Sequence, residues 1–257
     1  VAADGGQPAS ILTRTLSRDD AKTLGPGQDH YMAYVGPPDE YDLMGASQFR
    51  LLTALGLREH HTLLDFGCGS LRAGRMLIAY LEKGRYFGIE PNKWLIDEAI
   101  ERELGADLMT IKAPSFRHEA DFQTHRFRAK FDYIIAQSIF SHCGPDTTMR
   151  SLLSFDETLA ADGLALATFC GEDLGCPRGV EATGWIYPGC VWYTDDEVVS
   201  MARVCGLSAR KLPWRHPRQV WYAFARTADR LPPESFDGHL TGRILNQATY
   251  DEPARSL

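Results

Sequence analysis

The sequence predicts an α/β fold: a mostly parallel, seven-stranded sheet with helices on both faces and an antiparallel strand at one edge. Three observations predict it. Short apolar runs alternate with segments of helical periodicity from residue 43 to residue 205, the pattern of repeated β-α units. The runs themselves, such as FDYIIA at 131–136, are continuous rather than alternating, as strands covered on both faces require. The last two apolar runs, 207–212 and 219–225, follow one another with no helix between them and therefore pair as a hairpin.

In chain order, residues 1–29 are small, polar and glycine-containing and are expected to form a loose arm. Residues 29–42, DHYMAYVGPPDEYD, set three tyrosines beside a Gly-Pro-Pro turn, so 1–42 reads as an N-terminal arm with the reach of a lid. Apolar Leu43, Phe49, Leu51, Leu52 and Leu55 give a helix over 43–57, ended near Gly56. A strand at 62–66 follows, then a helix over 71–82 carrying Met76, Leu77, Ile78 and Leu81. Next come a strand at 86–89, a helix at 93–104, a weakly signalled strand at 117–120 and a strong one at 131–136. A helix at 147–159 leads to the strand at 164–169. Residues 171–193 are a long loop whose aromatic content argues against disorder and whose length suits a substrate loop. Thr194 is placed to cap a helix over 195–205. The domain proper is thus 43–226, and 227–257, with no clear period, is a C-terminal tail.

Composition narrows the function. The 27 basic and 34 acidic residues leave a formal net charge of −7 with no run of Lys and Arg, which argues against a nucleic-acid partner. No stretch approaches the roughly 20 apolar residues of a membrane span. The first twenty residues lack the basic opening and apolar core of a secretion signal. The six cysteines form no C-x-x-C pair and no zinc spacing, so no metal is expected. Reduced thiols and a cytoplasmic location are the expectation. Oligomeric state leaves no trace in the sequence.

The most informative segment is LLDFGCGSLRAG, residues 63–74. A buried strand runs into Gly67-Cys68-Gly69 and then into a helix, a turn that lets a ligand approach the backbone closely. A dinucleotide would need a third glycine where Arg72 stands, which disfavours an NAD-dependent oxidoreductase. Asp65, just before the turn, suits an ammonium or sulfonium better than a pyrophosphate. Glu90, 21 positions beyond Gly69, is placed to accept both hydroxyls of a ribose.

With these residues on the page, the chain resembles the class I S-adenosylmethionine-dependent methyltransferases from about residue 62 to residue 226. The resemblance is carried by LLDFGCGSLR, YFGIEPN, HEADF, FDYIIAQSIFSH, ADGLALATF and the closing YTDDEVVSMARVCGLSARKL and VWYAFAR. It implies a Rossmann-like sheet and S-adenosylmethionine as cofactor. By the resemblance Asp65, Gly67, Cys68 and Gly69 cradle the methionine end, Glu90 binds the ribose, and Pro91 or Asn92 flanks the adenine. Asp121 and Phe122 meet the adenine, and Gln137 and Ser138 line the methionine portion. Arg72 either neutralises the methionine carboxylate or makes an internal salt bridge.

The acceptor side is read from residue types. His142, in SIFSHCG, leaves the sheet at its carboxyl edge, where ligands of open α/β sheets bind, and imidazole suits proton abstraction near neutrality. It serves equally well as a loop-capping residue. His216, in LPWRHPRQVWY, can reach the same pocket, with Trp214, Arg215 and Arg218 beside it; a rigid turn with surface charges explains this segment as well. Tyr34, Trp185, Tyr187, Trp192 and Tyr193 are candidates to wall an acceptor, or to pack under loops. The acidic charge, the aromatic loop and His142 favour O-methylation of a small molecule, a sugar or a secondary metabolite. N-methylation of a small molecule or protein, and a non-catalytic module that binds S-adenosylmethionine, remain open alternatives.

Overall fold

The computed structural model describes residues 13–240; the expectations for 1–12 and 241–257 lie outside the described residues. Seven strands form one sheet: β1 (Leu63–Phe66), β2 (Tyr86–Ile89), β3 (Ser115–Arg117), β4 (Phe131–Ala136), β5 (Leu159–Cys170), β6 (Ser208–Arg215) and β7 (Gln219–Ala225). Their spatial order is β3-β2-β1-β4-β5-β7-β6. The first five are parallel, and β7 runs antiparallel between β5 and the outermost β6. The connections from β1 run first towards β2 and β3, then return to β4 on the other side. The topological switch therefore lies between β1 and β4, where a crevice opens at the carboxyl ends of the strands.

Side chains alternate across this sheet and sort the core into two layers. Leu63, Tyr133, Ile135, Leu164 and Leu166 face the layer built by α2 (Tyr41–Ala54), α3 (Gly74–Tyr80) and α4 (Lys93–Ala99). Leu64, Ile134, Ala136, Ala165 and Ala167 face α6 (Pro145–Thr158) and α7 (Asp195–Val204). Both layers are buried, which is why the strand sequences carry no polar alternation. Thr194 caps α7 as expected: its hydroxyl accepts from Glu197 N at 3.2 Å, and the Glu197 carboxylate accepts from Thr194 N at 2.8 Å.

The structure corrects several boundaries. The third strand lies at Ser115–Arg117, ahead of the expected 117–120. The helix beginning at Lys93 widens into a π-turn over Ile100–Leu104, and an unexpected α5 (Ala106–Lys112) follows. No residue of α5 is buried, so no apolar stripe announced it. The expected loose arm is docked where it is described. A short helix α1 (Arg18–Ala21) buries Ala21, and Arg18 and Arg75 both pair with Asp42 and Glu103. Arg102 donates to the Leu16 and Arg14 carbonyls, fastening the arm to the π-turn. At the other end Leu231, Phe236 and Leu240 of the expected tail pack on the α2 layer.

Candidate active site

The glycine turn after β1 is held from three directions. Gly67 and Gly69 sit at φ of +78° and +53°, the left-handed region that side chains disfavour. A Cβ on Gly67 would overlap Ile139, and one on Gly69 would stand 2.6 Å from Val35 Cγ1. Glu90 Oε2 accepts from Gly69 N at 3.1 Å, while its Oε1 accepts from Asn92 N and Nδ2, each at 2.8 Å. From α2, Tyr41 donates to the Ser70 carbonyl at 2.7 Å. Gly45 in the same helix lies so close to Arg72 O that no side chain fits there. The turn is therefore fixed by the sheet on one side and the arm-proximal helix on the other.

Around it opens a cavity of about 580 Å³. Of the residues expected to hold the cofactor, Asp65, Gly67, Cys68, Gly69, Arg72, Glu90, Pro91, Asn92, Phe122, Gln137 and Ser138 all line it. Phe122 and Ser138 do so with φ of 60° and 59°, left-handed conformations rarely adopted by such residues. Ser138 holds its position by donating from N to Thr168 Oγ1 at 2.8 Å. Asp121 turns away instead: its carboxylate pairs with Arg126 and accepts from Gln123 N, and Glu119 and Ala120 occupy the wall in its place.

Electrostatics distinguish the two ends of this wall. Asp65 is buried and accepts from Tyr86 OH at 2.8 Å; burial raises its carboxyl to about 6 despite that bond and Arg72. Burial likewise raises Glu90. Arg72 has no carboxylate partner within ion-pair distance among the described residues, so the expected internal salt bridge is not made. It donates from Nη1 to Val35 O at 2.9 Å and its Nε is buried without a partner. Burial pulls this guanidinium down to about 10. The buried Gln48 Oε1 and Gln137 Oε1 are also unpartnered. A carboxyl short of a cation, a guanidinium short of an anion and spare amide oxygens, all on one cavity, fit the zwitterionic end of an amino-acid-bearing nucleoside.

The other half of the cavity is assembled from the arm and the long loop. Pro26, Gly27, Tyr34, Val35, Gly36 and Pro37 contribute from the arm, and Trp185, Tyr187, Pro188 and Cys190 from the loop. Tyr187 OH donates to the Tyr34 carbonyl at 2.9 Å, and Trp185 stacks on Tyr187 with centroids 6.2 Å apart. The loop lies along the segment after β4, with Ile186 N donating to His142 O and Val191 N to Ser141 O. His142 lines the cavity beneath Trp185 and Tyr187, its Nδ1 2.6 Å from the Gly189 carbonyl.

Four aromatic or imidazole expectations fall outside the lining. Tyr193 is buried and donates to the Cys143 carbonyl at 2.7 Å, packing against Gly179. His216 caps the β6–β7 turn, its Nδ1 accepting from Arg218 N and Gln219 N at 3.1 and 3.0 Å. Burial, with Arg218 and Arg72 nearby, pulls its pKa down to about 3, so the ring is neutral. Trp192 lies under the Arg178 guanidinium, and Trp214 is buried, donating to Ser47 Oγ at 2.9 Å. Arg218, expected beside His216, lines the cavity, as do Gln48, Gln219, Cys170 and Cys176, which were not singled out. Gln48 carried a readable signal, a polar residue four positions from both Met44 and Leu52 on the buried face of α2. Arg218 is anchored by a two-pronged pair with Glu40 at 3.1 and 2.6 Å, which no local pattern announces.

Residues 64–165, from β1 into β5, match a family model described as a methyltransferase domain. The fold is shared with magnesium protoporphyrin IX methyltransferase (ChlM) from Synechocystis PCC 6803, solved with bound SAH. The TM-score is 0.54 at 16% identity, over 82% of this chain and 93% of that one. The CcbJ methyltransferase from Streptomyces caelestis gives 0.57 at 14% identity over 75% and 92% of the two chains. The sugar N-methyltransferase KedS8 from Streptoalloteichus sp ATCC 53650 gives 0.53 at 14% identity over 72% and 88%. At such identities the likeness is one of fold, and the family model adds a methyltransferase domain over residues 64–165. Taken with the glycine turn, Glu90 and the unpaired groups at the amino-acid end, the match identifies residues 64–165 as a methyltransferase domain on a Rossmann-like sheet.

Proposed function

We propose that the protein methylates a hydroxyl of a small-molecule acceptor, with His142 as the proton acceptor. The observation that carries this reading is the continuity of the cavity: one space of about 580 Å³ runs from the glycine turn and Glu90 to His142 and its aromatic cover. That volume suits a nucleoside beside a small acceptor rather than a macromolecule. The named substrates of two fold neighbours, a magnesium protoporphyrin and a sugar, are small molecules, which supports the same class here.

Within this reading Glu90, with Pro91, Asn92 and Phe122, holds the adenosine. Asp65, the Gly67–Gly69 backbone, Arg72, Gln137 and Ser138 hold the methionine end. When bound, S-adenosylmethionine supplies an electrophilic methyl group on sulfur, so the protein's task is alignment and proton removal. The Gly189 carbonyl can only accept, which assigns the proton of a neutral His142 to Nδ1 and leaves the lone pair on Nε2. A hydroxyl needs that lone pair as it becomes a nucleophile. Tyr34, Trp185 and Tyr187 wall the acceptor and exclude water. The arm, 13–42 where described, acts as the lid over this half.

The test is turnover with S-adenosylmethionine against a panel of hydroxylated and aminated small molecules, read as S-adenosylhomocysteine formed only when an acceptor is present. With a hydroxyl acceptor, His142→Ala lowers turnover by about 10²- to 10⁴-fold. Affinity for S-adenosylhomocysteine stays within about twofold, since the ring touches the acceptor half alone. Undiminished turnover in that variant overturns the proton-acceptor role, and turnover with amines only overturns O-methylation.

A further inference from the structure

In the acceptor half of the cavity the polar side chains are already engaged with one another. Tyr187 OH donates to the Tyr34 carbonyl at 2.9 Å, and Arg218 grips both oxygens of Glu40. The Gln219 amide bridges two serines: its Oε1 accepts from Ser138 Oγ and its Nε2 donates to Ser141 Oγ, each at 3.2 Å. Apolar surface, by contrast, stands open. Trp185 is 47% exposed and Leu174 39%, and both line the cavity. A polyhydroxylated acceptor would lose water from each hydroxyl here and find few free partners to replace it.

The shape of the wall selects in the same direction. Trp185 and Tyr187 lie within 19° of parallel with centroids 6.2 Å apart, and Phe122 adjoins Trp185 at 6.0 Å. His142 meets both rings steeply, at 61° to Trp185 and 77° to Tyr187, with centroids 5.6 and 5.0 Å away. The imidazole thus stands against a flat aromatic face, and a planar ring fits such a face by offset stacking.

The proton acceptor sets a third condition. His142 Nδ1 lies 2.6 Å from the Gly189 carbonyl and 3.7 Å from the Cys190 sulfur. Among the described residues no carboxylate stands within ion-pair distance of the ring. An aliphatic hydroxyl is nearly as weak an acid as water, whose pKa is about 16. An imidazole that deprotonates one relies on a carboxylate at its far nitrogen to stabilise the imidazolium. A phenol, with a pKa of about 10 as in tyrosine, gives up its proton without that help.

We infer that the acceptor is a phenol, an uncharged aromatic ring lying against the Trp185–Tyr187 face with its hydroxyl at His142 Nε2. The inference rests on the O-methylation proposed for this site. A bond forms between the phenol oxygen and the methyl carbon as the carbon–sulfur bond breaks, its electron pair staying on sulfur. The phenol proton passes to His142 Nε2. The products are a methyl aryl ether, S-adenosylhomocysteine and an imidazolium, which returns its proton to solvent.

A matched panel given to the full chain with S-adenosylmethionine tests this. It contains phenol and naphthols, cyclohexanol and decahydronaphthols as their saturated counterparts, glucose, and aniline. For the aromatic hydroxyls kcat/KM is expected to exceed that of the saturated alcohols by at least about a thousandfold, with no turnover of glucose. Trp185→Ala is expected to raise the naphthol KM about tenfold while kcat stays within about threefold, the mark of lost acceptor stacking. If that variant does not fold, the panel on the unaltered chain decides alone. Comparable turnover of a saturated alcohol or of glucose overturns the phenol inference and leaves O-methylation standing. Failure of every aromatic hydroxyl to react overturns it too, as does a naphthol KM that Trp185→Ala leaves unmoved. Turnover of aniline alone, or phenol turnover undiminished in His142→Ala, instead sinks the reading on which the inference rests.

Discussion

The two halves of the cavity are built on different terms. On the cofactor side the walls are main chain and short carboxylates on consecutive pieces of the sheet: Gly67 and Gly69 after β1, Glu90 after β2, Gln137 and Ser138 after β4. Each is placed by its strand, and parallel pairing sets Asp65 level with Gly88 and Ile135 on its two neighbours. On the acceptor side the walls are side chains from segments far apart in the chain, Tyr34 against Tyr187 and Glu40 against Arg218. A strand end has one position available to it; a loop held by side-chain contacts has many. Under the proposed function the first half is the nucleoside grip and the second recognises the acceptor.

If the cofactor half is a frame of carboxylate and backbone, removing one carboxylate should break it. Glu90→Ala is expected to weaken S-adenosylhomocysteine binding by about a hundredfold, because Glu90 both orders the Gly69 N–H and offers the charged acceptor for the ribose. Calorimetry measures this directly, and an affinity within about threefold of the unaltered protein would mean that Glu90 only shapes the turn. The amino-acid end is sharpened by a ligand comparison. Arg72→Met should cost S-adenosylhomocysteine about tenfold while leaving adenosine, which lacks the carboxylate, bound as before. Equal losses for both ligands would show that Arg72 holds the arm through Val35 O rather than the ligand.

A third test uses pH. Asp65 titrates near 6 in the unliganded protein because it is buried. An ammonium beside it stabilises the ionised form and lowers that value, so binding expels a proton whenever Asp65 is protonated beforehand. Affinity for S-adenosylhomocysteine is then flat above about pH 7 and falls by about tenfold between pH 7 and pH 5. Adenosine, with no ammonium, shows no such fall. Calorimetric titrations at three pH values check the sign, and a decline towards alkaline pH would contradict it.

Legibility followed the same division. The glycines, Asp65 and Glu90 could be read because chemistry and position coincide within a few residues of a strand end. Asp121 misled because its own strand lies at Ser115–Arg117, so the wall falls to Glu119 and Ala120, and Arg126 claims the carboxylate. His216 and Tyr193 carry the right chemistry on the right segments, yet His216 Nδ1 is taken by the Arg218 and Gln219 amides, Tyr193 OH by the Cys143 carbonyl, and neither ring lines the cavity. Trp185 and Tyr187 come from the same loop as Tyr193 and do reach the cavity. Nothing local separates them.

What the sequence determined by itself is the alternation of strands and helices, the bend after the first strand and the carboxylate one strand later. These follow from periodicity, from glycine's freedom at positive φ and from charge, all short-range properties. Only the tertiary structure decided which aromatic rings line the cavity, that Arg72 meets no acid among the described residues, and that Cys190 stands beside His142. Those depend on side chains brought together from positions up to 178 residues apart, as in the Glu40–Arg218 pair, and no local pattern encodes such a meeting.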